Sequence, residues 1–524
     1  MKVGIDFGTT YTKIAYVDER GDLQLFPFPG PAGQHYIPTT VSYRQGGEHV
    51  AIGEAALTEA LNYPDVELVR GFKMFLPAEN PKACGWTCSK SPTQVVRDYF
   101  EQLLRKAGES FERVHGDISS AVVSVPEVWQ RTPTNRGAEA LRRVLIDEMG
   151  LPVDRLQSEP VCAAAYFVHE YRRRGQTPDE FHLLVCDVGG GTFDVALCRV
   201  RGTRIDVVDF DGNSEEGLGR AGVCFDHNAV NRAYAEHHGD SPSPEELLEL
   251  LEEFEKVKIT SHGEVAELVE QLTHANLSEL RDVPLYRFKR KYTLTLEQAM
   301  ESFEPVAQGI KEVLSRLKAR LSERRVSIDR VAIVGGFGQF PLVQRTILES
   351  LGIRSQGDPR FDRTLHTEFG QFFAIAYGAA LISAGLIQPT ECYPHSLLIE
   401  VARLVGPELR RGFLPITEAG RTPAGQERPV FAEDGGRRVS VRVIRSGSGR
   451  LPVFIKLNGT GQPLALEIPP VDLPEPGDYY VGVKIDRSNM GTLVFESLDG
   501  RVVKEYRMGN INPVIIVEGS NRGA

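Results

Sequence analysis

The sequence holds no apolar run long enough to cross a membrane, so no membrane-spanning helix is expected. It has no excess of positive charge. Against 71 Asp and Glu stand 60 Lys and Arg, and the net charge of -11 argues against a dedicated nucleic-acid binder. Cysteine is scarce and odd in number, at seven. Cys162, Cys186, Cys198 and Cys224 stand inside apolar segments and read as small buried hydrophobes, not as a disulfide framework. Cys84 and Cys88 flank Trp86, but no second pair or nearby histidine completes a metal site, so reduced thiols are expected. A secretory leader is missing from the pattern: Met1-Lys2-Val3-Gly4-Ile5-Asp6 runs straight into a strand, and a cytoplasmic protein is expected. A Walker A phosphate loop is missing too. Gly336-Phe337-Gly338 fits part of a dinucleotide fingerprint, but Pro341 replaces its third glycine.

What is present is ordinary in composition and repetitive in pattern. A hydrophobic fraction of 41% and a charged fraction of 25% suit soluble globular domains. With 524 residues the chain exceeds one core, and about two to four domains are expected. Residues 3–17 read VGIDFGTTYTKIAYV and residues 184–198 read LVCDVGGGTFDVALC. Each is a short apolar strand, an Asp-x-Gly turn of small residues, and a second alternating strand, which predicts a β-hairpin. Two such hairpins suggest a duplicated α/β domain. Between them Ala121–Pro126 predicts a buried strand and 134–149 a helix. Pro160 opens a further helix whose small residues allow close packing. Long amphipathic helices are predicted over 244–271 and 296–323, a strand over 331–334, and a helix rich in small residues over 370–385. Past residue 386 helical patterns stop. Short alternating runs between Gly and Pro turns predict an all-β module, a sandwich or open barrel.

The paired hairpins suggest a phosphate device. Turns of Gly and Thr expose consecutive backbone N–H groups, which form an anion-binding concavity, and threonine hydroxyls add donors. Asp6 and Asp187 stand at the mouths of the two turns, where a carboxylate can hold a hydrated magnesium ion. Two such turns facing each other would clamp a triphosphate from both sides.

Asp6–Tyr11, Glu159–Ala165, Asp187–Asp194 and Gly335–Pro341 together resemble the nucleotide-binding motifs of the actin, hexokinase and heat-shock-70 superfamily. The fuller pattern is similar to the DnaK-type chaperones over roughly residues 1–385. Ile468-Pro469-Pro470, Val483–Asp486 and Gly491–Leu493 resemble that family's peptide-binding domain. The resemblance implies an α/β actin-like ATPase domain of duplicated ribonuclease-H-like halves over 1–385. A linker over 386–393, a β-sandwich over 394–510 and a short apolar tail over 511–524 would follow. It implies ATP and ADP as ligands, with magnesium held through water by Asp6 and Asp187. An unfolded or extended polypeptide would be the partner, with a co-chaperone or nucleotide-exchange factor, and with no nucleic acid or membrane.

Carried over by position, Gly8, Thr9, Thr10 and Tyr11, with Gly189, Gly190, Gly191 and Thr192, would contact phosphates. Lys73, within Gly71–Phe75, would be the catalytic lysine, stabilising charge on the γ-phosphate. Glu159 and Asp194 would orient water and accept its proton, with Asp187 and Thr192 in the same catalytic set. Pro126 would match the family's proline switch and Arg136 its nearby arginine. Glu255 and Lys258 would meet ribose and adenine, and Gly335 and Gly336 would bind the nucleotide. There the chain departs from the family: Ile259 and Gln339 replace two arginines that stack on adenine, and Phe372-Phe373 replaces an Asp-Glu pair. The linker Leu386–Glu391 is only partly apolar, and the residues past 508 are too few for a helical lid. Val514–Val517 reads as an edge strand or as a tethered occupant of the peptide groove. The reading is an ATP-hydrolysing chaperone-like protein. The alternative is a nucleotide-gated scaffold with little turnover.

Overall fold

The computed structural model describes residues 1–28, 34–44, 50–111, 118–127, 129, 136–176, 178–213, 221–271, 280–353, 357–366, 368–390, 392–393, 395–405, 408–419, 422–425, 428–434, 437–449, 451–456, 462–466, 468–486 and 490–511. The two motifs fold alike. Strand β1 (Lys2–Phe7) pairs antiparallel with β2 (Tyr11–Val17), so that Asp6 faces Lys13. The Gly8 N–H donates to the Tyr11 carbonyl at 3.1 Å and closes the turn. On its other side β1 has a parallel neighbour, β3 (Ser120–Val125), which pairs in turn with β4 (Val153–Ser158).

The second motif repeats this arrangement. Strand β5 (Glu180–Val188) pairs antiparallel with β6 (Phe193–Arg201), and Asp187 faces Asp194. The Gly189 N–H donates to the Thr192 carbonyl at 3.0 Å, and β7 (Arg330–Val334) lies parallel to β5. The central strands are buried along nearly their whole length, as expected of near-continuous apolar runs with parallel neighbours.

Helices hold the strands in place through small residues. Helix α1 (Glu159–Arg173) starts at Ser158, whose hydroxyl accepts the Val161 N–H at 3.4 Å, with Pro160 in the first turn. Helix α2 spans Pro244–Thr260, α3 His262–Gln271, α4 Leu296–Arg324 and α5 Glu368–Ser383. A Cβ on Gly378 of α5 would lie 1.6 Å from the Cys162 carbonyl oxygen of α1, and a Cβ on Gly4 would lie 2.1 Å from the Ala380 nitrogen. Helix α5 thus approaches α1 and β1 at a distance that only glycine permits.

Two helical expectations are corrected. The single helix over 244–271 is two, α2 and α3, separated at Ser261. The Thr260 hydroxyl bonds back to the Lys256 and Val257 carbonyls at 3.0 and 3.2 Å, and Ser261 leaves helical geometry at φ -90, ψ 8. Side-chain bonding of this kind competes with the helical ladder. The helix over 134–149 is α-helical across Arg136–Arg142 and π-helical across Arg143–Glu148.

The chain forms two compact units, one of Met1–Val128, Arg136–Thr203 and Phe210–Gln388, the other of Trp129–Asn135, Arg204–Asp209 and Pro389–Ala524. From Gln388 onward the described residues form strands and no helix. One sheet there orders Glu408–Pro415, Ser396–Val405, Val453–Lys456 and Leu464–Leu466. Another orders Val430–Phe431, Gly477–Ile485, Met490–Ser497 and Val502–Asn510. Their apolar faces share one core that includes Tyr393, Leu397, Leu414, Val481, Leu493 and Ile511. The Tyr393 hydroxyl donates to the Ile511 carbonyl at 2.5 Å and fixes the point where the tail begins. Asn512–Ala524, with the Val514–Val517 run, lies outside the described residues. No described helix is long and apolar enough to cross a membrane.

Candidate functional site

The two hairpin turns face each other. A Cβ on Gly190 would lie 2.4 Å from the Thr10 hydroxyl, and one on Gly191 would lie 2.3 Å from Met74 Sδ and 3.2 Å from the Thr9 hydroxyl. Any larger residue would fill the space between the turns. Gly335, at φ +86, presses against the second turn, where a Cβ would lie 2.6 Å from Asp187 Oδ1. Gly71, at φ 61, starts the short helical turn Phe72–Phe75 that carries Lys73 inward.

Lys73 is a buried cation, 2% exposed. Its ammonium donates to the Phe7 carbonyl at the end of β1 and to Glu159 Oε1 at 2.6 Å, in the first turn of α1. Burial raises the Glu159 carboxyl above its ordinary range, the Lys73 charge pulls it back down, and Asp6 raises it again. Two residues singled out separately in the sequence thus form one ion pair.

The carboxylates divide into a satisfied and an unsatisfied set. Asp6 Oδ2 accepts from the Lys13 ammonium at 2.9 Å, and Oδ1 accepts from the Ser124 hydroxyl at 3.2 Å. By contrast Asp187 Oδ1 and both oxygens of Asp194 are buried and make no well-formed hydrogen bond among the described residues. Asp187 is raised well above the carboxylate range by burial, then by the charges of Glu159, Asp194 and Asp6. Asp194 is raised by burial, then by Glu159 and Glu127, with the Thr192 hydroxyl easing it down. Lys73 draws both carboxyls down but is already paired with Glu159, and buried anionic oxygens left short of partners are costly and suit a further cation. Among the described residues no group of three or more His, Cys, Asp or Glu can hold a metal ion directly, Cys84 and Cys88 included. The oxygens here fit a hydrated ion held at one or two points.

The other end of the site is arranged differently. The Tyr11 hydroxyl, expected at phosphate, donates to Glu255 Oε1 at 2.9 Å. Lys258 donates to both Asp226 oxygens at 2.6 and 2.7 Å. Burial pushes the Asp226 carboxyl up to about 6, against the pull of Lys258. Ile259 is 51% exposed. Gln339 ends the short helical turn Phe337–Gln339. Phe372 receives the Lys13 ammonium 4.1 Å from its ring centre, and it packs edge-on against Tyr11 and Tyr36 at 6.0 and 5.3 Å. Gly336 abuts the same ring, since a Cβ there would lie 3.6 Å from Phe372 Cε2. Pro126 is buried, and the Arg136 side chain lies outside the described residues.

Sequence reasoning missed Lys13, Ser124 and Glu127, all buried. For Lys13 a signal existed. It holds the same register position in the first hairpin that Asp194 holds in the second.

A family profile described as "Hsp70 protein" matches residues 85–414, more than half of the chain. The chain belongs to the Hsp70 family. Members of this family are ATPases of the actin-like fold and act as ATP-binding chaperones. Among its relatives is the chaperone protein DnaK of Deinococcus radiodurans, 26% identical over 506 residues, covering 90% of this chain and 73% of the relative. The DnaK of Thermosipho melanesiensis is 25% identical over 457 residues, 84% of this chain and 70% of the relative. That of Thermotoga maritima is 26% identical with the same coverage, 84% and 70%. The profile match includes Glu159, Asp187, Asp194 and Gly335 and begins after Lys73, so in this Hsp70 the first hairpin lies outside the matched span.

Proposed function

We propose that this Hsp70 binds ATP with magnesium between the two hairpin turns and hydrolyses it. The observation that carries the reading is the buried Lys73–Glu159 pair beside two uncompensated carboxylates, Asp187 and Asp194. The N–H groups of the Gly8–Tyr11 and Gly189–Thr192 turns, with the hydroxyls of Thr9, Thr10 and Thr192, would hold the phosphates. Asp6 and Asp187 would hold magnesium through water, where the ion would supply charge neutralisation. Lys73, fixed by Phe7 and Glu159, stabilises negative charge on the γ-phosphate, and such a preorganised donor needs no rearrangement during reaction. Glu159 and Asp194, whose carboxyls are raised by burial, are poised to take the proton of the attacking water.

The same reading treats 1–385 as a nucleotide-binding domain of duplicated halves and 386–393 as a linker. Residues 394–510 are then a β-sandwich that binds extended apolar polypeptide through backbone hydrogen bonds and side-chain pockets. Steady-state phosphate release from ATP, with and without an unfolded peptide, tests it. Turnover stimulated by peptide supports a chaperone cycle. A second reading, a nucleotide-gated scaffold with little turnover, is favoured by the nucleoside end, where Glu255 and Lys258 already have protein partners and Ile259 is exposed. Tight ATP binding without phosphate release supports that reading.

A further inference from the structure

The two hairpins carry different charge on the same register. In the first, Asp6 faces Lys13, and the two form a buried ion pair at 2.9 Å with side chains 3% and 7% exposed respectively. In the second, Asp187 faces Asp194, and three of their four oxygens make no well-formed hydrogen bond among the described residues. Ser124 completes the first set by donating to the remaining Asp6 oxygen. The strand beside Asp187 offers Val334 at the paired position, which has no donor.

We propose that Lys13 is a tethered counter-cation for this site. It does at the first hairpin what a diffusible cation must do at the second, and it lends an N–H to a phosphate oxygen of the nucleotide between the turns. The proposal rests on the nucleotide reading above. An ammonium has three donors. The bond to Asp6 uses one, and the Phe372 ring 4.1 Å away covers one side of the group without accepting a conventional hydrogen bond. The ammonium also lies at Asp6, one strand position before the turn that begins at Phe7 and Gly8. A phosphate seated on that turn therefore meets a neutral Asp6–Lys13 pair with an N–H to spare and not a bare carboxylate. On the opposite turn it meets two carboxylates whose nearest counter-charge, Lys73, is already paired with Glu159, and it is repelled unless a further cation intervenes. The need for divalent metal thus falls on the Asp187 side.

Calorimetry of ATP binding to the full chain, in excess magnesium and in EDTA, tests the proposal. Wild type is expected to lose about tenfold in affinity without magnesium, whereas Lys13→Met loses a further ~10–100-fold in EDTA, the scale of a lost charge-assisted contact. Lys13→Arg should recover most of that loss. Because Lys13→Met strands a buried carboxylate, the double variant Asp6→Asn with Lys13→Met is measured beside it. With both charges gone it should fold and still lack metal-free binding. Asp187→Asn should shrink the gain from magnesium more than Asp6→Asn does, since Asp6 is already paired with Lys13. If Lys13→Met and the double variant bind ATP in EDTA as wild type does, the tethered cation is wrong. If Asp6→Asn removes the magnesium gain and Asp187→Asn does not, the metal belongs to the first hairpin and the proposal is overturned. If wild type binds ATP under neither condition, the nucleotide reading fails and the proposal falls with it.

Discussion

The hairpins at Asp6 and Asp187 have the same backbone and opposite electrostatics. Each has a turn closed by an N–H from its first glycine, an antiparallel partner in the same register, and a parallel neighbour on the far side. At one position they diverge: lysine faces the aspartate in the first, and a second aspartate faces it in the second. The backbone follows from glycine, threonine and alternating apolar residues, which both segments share. The charge state follows from one side chain, whose sign the strand backbone does not fix. A repeated fold therefore does not give a repeated site.

The comparison is broken most forcefully by removing its balanced half. Lys13→Ala leaves Asp6 buried without its ion and should cost about 3–5 kcal/mol of stability. Asp194→Asn should move the other way, raising the urea midpoint of the nucleotide-free protein, because it removes one of two facing uncompensated carboxyls. Similar losses in both variants would erase the distinction drawn between the hairpins.

Next in size is the effect of Lys73, which the first hairpin holds through the Phe7 carbonyl. Lys73→Ala should slow hydrolysis by on the order of 10²–10³-fold, the scale of one preorganised donor. ATP binding should survive, since both turns remain. Single-turnover assays with labelled ATP decide this, and unchanged hydrolysis would remove Lys73 from the mechanism.

A third test concerns the support of the second hairpin alone. His366 accepts the Ile333 N–H at 3.1 Å and donates through Nδ1 to the Asp362 carbonyl at 2.7 Å, so the structure uses its neutral form. Burial depresses it to about 4. A depressed folded value means that this stability is fully present above the ordinary histidine range near 6.5 and is lost as pH falls toward 4. The total is about 3 kcal/mol, at 1.36 kcal/mol per pH unit. Ile333 lies in β7, paired with Cys186 of β5. Acidification to pH 5 should therefore lower hydrogen-exchange protection in residues 183–187 before 2–7. His366→Gln should flatten the difference, and equal loss in both strands would contradict this assignment.

The smallest effect lies at the nucleoside end. Ile259→Arg with Gln339→Arg should strengthen ATP binding by roughly 0.5–2 kcal/mol for each cation that reaches the base. Calorimetry on the full chain, with GTP as competitor, measures it. A wild type that already prefers ATP strongly, with no gain from the arginines, would show that the base is held by other residues.

Much of the site was legible before any coordinates. Asp-x-Gly turns between apolar strands mark the hairpins, since strand period and turn chemistry are local properties. The small residues of α1 allowed a close helix approach, and Gly378 of α5 against Cys162 is that approach. The break between α2 and α3 was not legible, because the apolar period runs through it and only the Thr260 hydroxyl, turned back on its own helix, shows where the ladder ends.

The sequence by itself determined the two hairpins, the glycines that let them meet, and the change to strands after residue 386, because each depends on residues a few positions apart. Only the tertiary structure decided that Lys73 pairs with Glu159, that Tyr11 holds Glu255, and that Lys13 neutralises Asp6 while Asp187 and Asp194 remain uncompensated. Charges interact through space, here at 2.6 and 2.9 Å for the two lysine pairs, and at strengths set by burial, and neither quantity is written in the order of the residues.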